Sequence, residues 1–267
     1  MSQYLLAHEP AIRLAISVTV FVLLVSGEAL FPRRPQKIGR SVRWPNNIGL
    51  VVLNTVLVRI LFPTAAVGIA LIADARGWGL LNMVVLPGWL AVLLAVLALD
   101  LAIYAQHVLF HAVPVLWRLH RMHHADLEFD VTTGVRFHTL EIVLSMIIKF
   151  MVIVALGAPS LAVLVFEVAL NATSQFNHAN LRLPKGLDRL LRLVVVTPDM
   201  HRVHHSIVRS ETDSNFGFNV PWWDRLFGTY RPQPAAGHEA MTIGIPQFRD
   251  VGELRLIRML AQPFRRT

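Results

Sequence analysis

The chain has 267 residues, of which 54% are hydrophobic and only 16% are charged, and its mean hydropathy is +0.52. Soluble domains carry about 25% charged residues, so the composition excludes an ordinary soluble domain and indicates a membrane protein. Cysteine is absent, which excludes disulfides, thiolate metal sites and iron–sulfur clusters within the chain. The net charge of +8 is concentrated in segments that flank apolar runs, which favours membrane-surface loops over nucleic-acid binding.

Three apolar runs in the first part of the chain are long enough to cross a bilayer, which takes about 20 helical residues. They cover residues 11–31, 47–73 and 80–112. A basic loop at 33–43 follows the first run, and an excess of arginine and lysine is typical of cytoplasmic loops. Alternation across the membrane then places the end of the third run on the cytoplasmic side.

A helical hairpin is predicted next, with apolar arms at 139–157 and 160–177 joined by Gly157-Ala158-Pro159-Ser160. Adjacent glycine and proline interrupt helices strongly. Lys149 and Glu167 are equally distant from residue 158, so we expect them to form an ion pair, because charges at this depth need partners. His138 and His178 share the same symmetry and are expected at equal depth on the cytoplasmic side.

The histidines carry the main functional signal, since ten of the twelve lie between His107 and His205. Eight of them form three short groups, which are HVLFH at 107–111, HRMHH at 120–124 and HRVHH at 201–205. Spacings of three and four residues place side chains on one face of a helix, and neutral imidazole is the commonest metal ligand. Two HxxHH wedges that face a common point, joined by the HVLFH pair, can hold two metal ions. His8 and His238 lie outside this pattern and are interpreted as structural.

Several alternatives are less compatible with so many histidines. Structural zinc needs four ligands, and a haem takes at most two axial ligands. Soluble di-iron bundles use Glu-x-x-His pairs, which are missing at these positions. A pH-sensing surface is a further possibility for clustered histidines. An all-nitrogen site suits zinc, iron, copper or nickel, so spacing alone leaves the metal open.

The three histidine groups resemble the histidine boxes of the fatty acid hydroxylase/sterol desaturase superfamily. The resemblance extends to FNHAN at 176–180, TPDMHRVHHS at 197–206 and NFGFNVPWWDRLFGTY at 215–230. It implies a non-haem di-iron centre with an extra histidine ahead of the last box. The implied metal ligands are His107, His111, His120, His123, His124, His201, His204 and His205, together with His178 and, as a further ligand, His138.

The resemblance further implies an oxidoreductase that uses O2 to hydroxylate or desaturate a fatty acyl, sterol or related lipid drawn from the bilayer. Its electrons would come from a separate reductase, ferredoxin or cytochrome, and a pterin requirement stays open. Two other classes remain as alternatives, a membrane haem protein that transfers electrons and a membrane protein that binds metal without catalysis.

The expected fold is an all-α, multi-pass integral membrane bundle with a cytoplasmic, histidine-rich, metal-binding helical cap. We divide it into transmembrane helices one to three at 1–113, a histidine-box catalytic domain at 114–232 that includes the membrane hairpin at 139–177, and an amphipathic tail at 233–267. The aromatic residues between Phe216 and Tyr230 are expected to form an interfacial belt. Candidate hydrogen-bond acceptors for the histidine rings are Asp126, Glu128, Asp130, Glu141, Asp199, Asp213 and Asn180.

Overall fold

The computed structural model describes residues 2–266, and this part of the chain is helical, with two isolated β-bridges in place of strands. The first eight helices are α1 (Ser2–Ala7), α2 (Glu9–Leu30), α3 (Arg40–Leu61), α4 (Ala65–Ala75), α5 (Gly88–Ala112), α6 (Pro114–His124), α7 (Thr139–Leu156) and α8 (Ser160–Asn177). They are followed by short helices, which are α9 (Lys185–Leu191), α10 (Pro198–His204), α11 (Arg209–Thr212), α12 (Trp222–Leu226), α13 (Gly237–Ala240) and α14 (Leu256–Ala261).

Four helical stretches in the described residues are long and apolar enough to cross a membrane, which are Glu9–Leu30, Arg40–Asn82, Gly88–Ala112 and Thr139–Leu156. The prediction of an all-α, multi-spanning bundle is therefore confirmed. Helix α8 is not among the four, because Asn171, Gln175 and Asn177 make its last two turns polar. It lies inside the bundle, where it packs against α2, α4 and α5.

The second predicted span, 47–73, was wrong as a single helix. Helix α3 starts earlier, at Arg40, and ends at Leu61, and α4 follows after a break that contains Pro63. Proline removes a backbone donor and clashes with the preceding turn, and Ala65 takes a positive φ of 51° at the break. The third span was also predicted too long at its start, because α5 begins only at Gly88, after Pro87.

The hairpin is confirmed within one residue at its ends. Helix α7 stops at Gly157, which adopts the left-handed conformation (φ 64°) that glycine tolerates best. Gly79 packs against this turn so closely that an added Cβ would lie 2.0 Å from the Gly157 nitrogen. The predicted ion pair is present as well, since Lys149 Nζ lies 2.8 Å from Glu167 Oε1.

The cap, which we define as residues 114–138 and 178–232, is held to the membrane helices by buried charged side chains. Arg43, in α3, contacts Asp126 at 2.7 Å and also pairs with Asp130. Glu28, near the end of α2, accepts hydrogen bonds from the backbone N–H groups of Val131 and Asn180, each at 2.8 Å. These contacts fix the segments after α6 and α8, both of which carry histidines, relative to the membrane helices.

The C-terminal segment packs on the cap. Arg118 and Arg121, in α6, donate to the carbonyl groups of Pro263 and Gln262 at 2.7 and 2.6 Å. Met259, in α14, is buried against Leu50 and Met122. The amphipathic pattern near 250–261 is thus accounted for largely by packing within the chain.

Candidate metal centre

Nine of the ten predicted histidine ligands come together in two adjoining groups of buried side chains. The five-histidine group contains His107, His111, His120, His124 and His204. The four-histidine group contains His123, His178, His201 and His205. Within each group, one ring nitrogen from every histidine lies within 4.8 Å of the others. The groups adjoin, since the stacked rings of His124 and His205, one from each group, have centroids 4.5 Å apart.

Each HxxHH segment supplies both groups, in a reciprocal arrangement. In α6, His120 and His124 belong to the five-histidine group and His123 to the other. In and just after α10, His201 and His205 belong to the four-histidine group and His204 to the other. Positions four apart differ by about 40° around a helix, whereas the penultimate histidine is turned about 60° the other way. Helix periodicity therefore divides each triplet between two sites.

Four histidines have their ring orientation fixed by backbone carbonyls. The Nδ1–H groups of His107 and His204 donate to the carbonyls of Phe216 and Ser214, both at 2.7 Å. Likewise, the Nδ1 atoms of His123 and His178 bond to the carbonyl oxygens of Arg136, at 3.1 Å, and Ser174, at 2.7 Å. Because a carbonyl can only accept, Nδ1 carries the proton and Nε2 keeps its lone pair.

Two carboxylates play the same part for two further rings. Glu141 accepts from Nδ1 of His120 at 2.6 Å, and Asp213 accepts from Nδ1 of His111 at 3.2 Å. Both residues were among the seven predicted acceptors. Partners of this kind orient ligating imidazoles and raise their basicity. Six of the nine rings thus present Nε2 to the interior of the two groups.

The Nε2 atoms are placed as ligands would be, without hydrogens between them. His107 and His120 bring Nε2 to Nε2 at 3.1 Å, and His123 and His178 do so at 3.2 Å. Since Nδ1 holds the proton in all four rings, these contacts oppose two lone pairs. Two nitrogens at about 2.1 Å from one metal ion, at right angles, would be about 3.0 Å apart. A cation in each group would turn these repulsive contacts into coordination.

Buried nitrogens without partners support the same conclusion. Nε2 of His111 and His204, and both ring nitrogens of His124 and His205, are buried and have no hydrogen-bond partner within residues 2–266. Buried polar atoms are nearly always satisfied in native proteins. The nitrogen-only donor set fits zinc, iron, copper or nickel.

The histidines of the cap are held in the neutral form that binds metals. Burial, together with the nearby His120, lowers the pKa of His204 to about 3. Burial and the neighbouring rings also lower the pKa of His124 and His205 well below its ordinary value. Neutral imidazole is the ligand form, so a metal ion would not have to displace protons from these residues at neutral pH.

His138 is the predicted ligand that the structure leaves outside both groups. Its Nδ1 accepts from the backbone N–H of Leu140 and caps the start of α7. Its Nε2 lies 3.2 Å from the Leu260 carbonyl oxygen. Symmetry about the hairpin tip predicted its place at the open end of the hairpin, next to the start of α7, but could not predict the direction of its side chain. His138 is therefore a capping residue in this structure.

The remaining predicted acceptors hold the cap together and do not touch the rings. Asp126 and Asp130 pair with Arg43, while Asp199 pairs with Arg33 and Arg202. Glu128 accepts from the backbone N–H groups of Lys37 and Ile38. The side chain of Asn180 bonds to the backbone of Arg34.

Two aromatic residues were assigned to the wrong environment. Phe216 and Phe218 are buried and line the histidine groups, with the Phe216 ring centroid 5.1 Å from His111 and that of Phe218 5.8 Å from His201. Trp222 and Phe227 are exposed, as expected for an interfacial belt. Alternation within NFGF directs both phenylalanines inward, and this signal was available in the sequence.

The segment 215–230 is fixed by side chains of α5, one and two turns before His107. Asp100 accepts from the side chains of Asn219 and Trp223 at 2.7 and 2.8 Å. Tyr104 bonds to Thr229 at 2.9 Å. These contacts hold the segment that contains Phe216, whose carbonyl orients His107. Asp100 and Tyr104 therefore support the site through hydrogen bonds from α5 to this segment.

Fold and site together define a multi-spanning helical membrane protein with two buried histidine groups that could hold metal ions. Within that class, the chain belongs to the fatty acid hydroxylase family, whose family model matches residues 92–229. The match runs from α5 to Thr229 and therefore includes all nine clustered histidines. No solved structure matches the chain.

Several curated proteins are similar to this chain. Ornithine lipid hydroxylase OlsE of Rhizobium tropici is 32% identical over 176 residues, which are 66% of this chain and 50% of that protein. Human alkylglycerol monooxygenase is 31% identical over 140 residues, 52% of this chain and 30% of its own length. Rat cholesterol 25-hydroxylase is 27% identical over 144 residues, 54% of this chain and 47% of its own length. The chain thus spans half or less of the length of these relatives.

Proposed function

We propose that this protein is a membrane-bound, O2-dependent lipid hydroxylase with two iron ions held by nine histidines. The observation that carries the proposal is the opposition of ring lone pairs within two buried, adjoining histidine groups. The family and the relatives support lipid oxidation, because the family is one of fatty acid hydroxylases and the relatives are named as hydroxylases or monooxygenases of lipid molecules. Hydroxylation is favoured over desaturation on the same ground.

In this proposal the five-histidine group holds one metal ion and the four-histidine group holds the other. His138 is left out of the ligand set because it caps α7. Bound iron, supplied with electrons and O2, would provide the oxidising chemistry. One oxygen atom would enter a C–H bond, and the other would leave as water after uptake of two electrons and two protons. All-imidazole coordination is compatible with iron.

The chain's own residues provide orientation and exclude water. Glu141 and the carbonyls of Phe216 and Ser214 keep the proton of each partner ring on Nδ1 and so keep Nε2 available. Phe216, Phe218 and Phe137 cover the rings with apolar surface, and the Phe137 ring stacks on His123 at 4.3 Å. A dry wall of this kind protects a reactive centre from side reactions with water.

Substrate and electrons would reach this centre from different directions. A lipid would enter laterally from the bilayer beneath the cap, since the histidines of α5 stand at the end of a membrane span. Electrons would come from a separate reductase, ferredoxin or cytochrome. We place the cap on the cytoplasmic side, from the basic segment at 33–43 that packs against it. The domain division at 113/114 and 232/233 is part of the same proposal.

The reaction is tested by lipid mass spectrometry of membranes from cells that do or do not produce the full chain. We expect a lipid heavier by about 16 mass units, the mass of one oxygen atom, and expect 18O2 to raise this increment to about 18. His178→Ala and His205→Ala should abolish the product, because each leaves only three ligands in the four-histidine group. His138→Asn, which preserves a capping side chain, should retain it.

Other outcomes would overturn this assignment. A lipid two mass units lighter would indicate desaturation. A Soret band, with product loss confined to variants of one histidine pair, would indicate the haem alternative. Unchanged lipids in His178→Ala and His205→Ala cells, with metal bound in the wild type, would indicate a metal-binding protein without catalysis.

A further inference from the structure

A cavity lies outside the histidine groups, between the loop that follows α2, helix α9 and the segment before α13. Its volume is about 910 Å³. Its wall includes Arg33, Lys185, Arg189, Arg192 and His238. None of these residues belongs to either histidine group, and none has a part in the proposed oxidation.

The wall of this cavity has an excess of positive charge. It contains five lysine or arginine residues and three acidic ones, which are Asp188, Asp199 and Glu239. Each acid is paired with a different arginine of the wall, with Asp188 2.7 Å from Arg192, Asp199 3.1 Å from Arg33 and Glu239 3.3 Å from Arg182. Lys185 and Arg189 form no ion pair within residues 2–266. Lys185 and Arg189 are therefore the two charges of the wall that no acid balances.

Buried donors without partners provide an independent sign of a ligand. Arg192 is 5% exposed and His238 is 4% exposed, and both line the cavity. Among the described residues, Nη2 of Arg192 and both ring nitrogens of His238 have no hydrogen-bond partner. The nearest acid to His238 is Asp199, at 3.6 Å, which is too long for a hydrogen bond. An anion with several acceptor oxygens would accept from Nη2 of Arg192 and from the one ring N–H that neutral His238 carries.

The outer surface beside the cavity is apolar, as expected for a segment embedded in a bilayer surface. Leu187, Leu190, Leu193 and Val194 project from α9 and the turn after it, and Leu190 is 63% exposed. The exposed Trp222 donates to the Leu193 carbonyl at 2.7 Å and continues this surface. Amphipathic segments with leucine and tryptophan on one side and basic residues on the other lie in the headgroup layer of membranes.

We propose that this cavity binds the phosphate of an anionic phospholipid headgroup. The apolar edge of α9 would place the cavity at headgroup depth. Lys185 and Arg189 would attract the negative charge, and Arg192 and His238 would donate to the phosphate oxygens. Clustered basic residues at a membrane surface recognise anionic lipids in this way. The proposal does not depend on the oxidation chemistry.

The test compares phospholipids retained by the full-length protein. Wild type is reconstituted into vesicles of phosphatidylcholine and phosphatidic acid and re-extracted with mild detergent, and the bound lipids are quantified by mass spectrometry. We expect enrichment of phosphatidic acid. Lys185→Gln with Arg189→Gln should lower the enrichment about thirtyfold at low salt, since each surface cation contributes a factor of about five. Both side chains are exposed, so folding should be unaffected.

A matched control removes two exposed arginines elsewhere, as Arg255→Gln with Arg266→Gln, and should retain the enrichment. His238→Phe removes the ring N–H donor and should lower the enrichment of phosphatidic acid. Equal retention of both lipids by the wild type, or equal losses in the double variant and the control, would overturn the proposal. A third outcome would also overturn it. If Lys185→Gln with Arg189→Gln abolishes the binding of inorganic phosphate while the lipid enrichment persists, the site holds a free ion and not a lipid headgroup.

Discussion

Lys149 and Glu167 face each other across the α7–α8 hairpin, with Nζ 2.8 Å from Oε1, although 18 positions separate them in the chain. The second carboxylate oxygen of Glu167 is 2.9 Å from Arg13, in α2. One buried acid thus joins three helices. A carboxylate at this position also explains how two cations are accommodated within membrane helices.

Because Glu167 has two cationic partners, we expect its loss to cost more than the loss of Lys149. Glu167→Ala leaves Lys149 without a partner and leaves Arg13 with Glu9 alone, at 3.3 Å. Loss of a partner from a buried ion pair should destabilise the fold by about 3–5 kcal/mol. Lys149→Ala leaves Glu167 paired with Arg13 and should cost less than half as much. The measurement is reversible unfolding of each variant in mixed detergent micelles. Equal costs would show that Arg13 does not contribute.

Glu141 should control metal retention through His120. We expect Glu141→Gln to lower metal affinity by about 10–100-fold, because the amide is a weaker acceptor for the ring N–H. Asp213→Asn should have a smaller effect, since Asp213 is 35% exposed and water can replace it. Metal content is measured after dialysis against graded chelator concentrations. A larger loss of metal affinity in Asp213→Asn than in Glu141→Gln would contradict these roles of the two carboxylates.

The two histidine groups should differ in their tolerance of ligand loss. His111→Ala leaves four imidazoles in the five-histidine group, a sufficient set for a metal ion. His205→Ala leaves three in the other group. We expect the first variant to retain about two metal ions per chain and the second to retain about one. Metal analysis by plasma mass spectrometry distinguishes them, and loss of both ions from either variant would indicate one shared site.

Asp224 gives a prediction for pH. Burial raises its pKa from 3.8 to about 6, although it accepts from the backbone N–H groups of Phe216 and Gly217. A carboxyl group with a raised pKa favours the folded state most below pH 3.8, and this contribution is lost as the pH rises through 6. The stability of the wild type relative to Asp224→Asn should therefore fall between pH 4 and pH 6.5. Denaturation at several pH values measures the difference, and a pH-independent difference would refute it.

Much of the architecture could be predicted because it follows from local chemistry. The hairpin is specified by Gly157 and Pro159, and its symmetry about residue 158 predicted the Lys149–Glu167 pair. The break between α3 and α4 was missed because Ala65 and Ala66 continue an apolar run, and hydropathy does not register the backbone effect of Pro63. The segment 47–73 therefore has the composition of one span and the geometry of two helices.

The sequence predicted most residues of the candidate site, but it predicted less of how they are arranged. Spacing identified the eight histidines of the three groups, but it could not show which histidines of α6 and α10 would meet, as His123 meets His201 and His205 and as His204 meets His120 and His124. Four rings are oriented by carbonyls of Phe216, Ser214, Arg136 and Ser174, and every residue has a carbonyl, so these partners leave no signal in the sequence. His138 and His178 are both histidines at the same distance along the chain from residue 158, and only the fold separates their roles.

The central claim is that two adjoining groups, with five and four histidines, each bind an iron ion. It is tested most directly by metal analysis of the purified, iron-supplied full-length protein together with Mössbauer spectroscopy of 57Fe-enriched material. The account predicts about two irons per chain in two distinguishable nitrogen-rich environments, in equal amounts. One metal ion or none per chain, or a single haem-type iron signal, would contradict it.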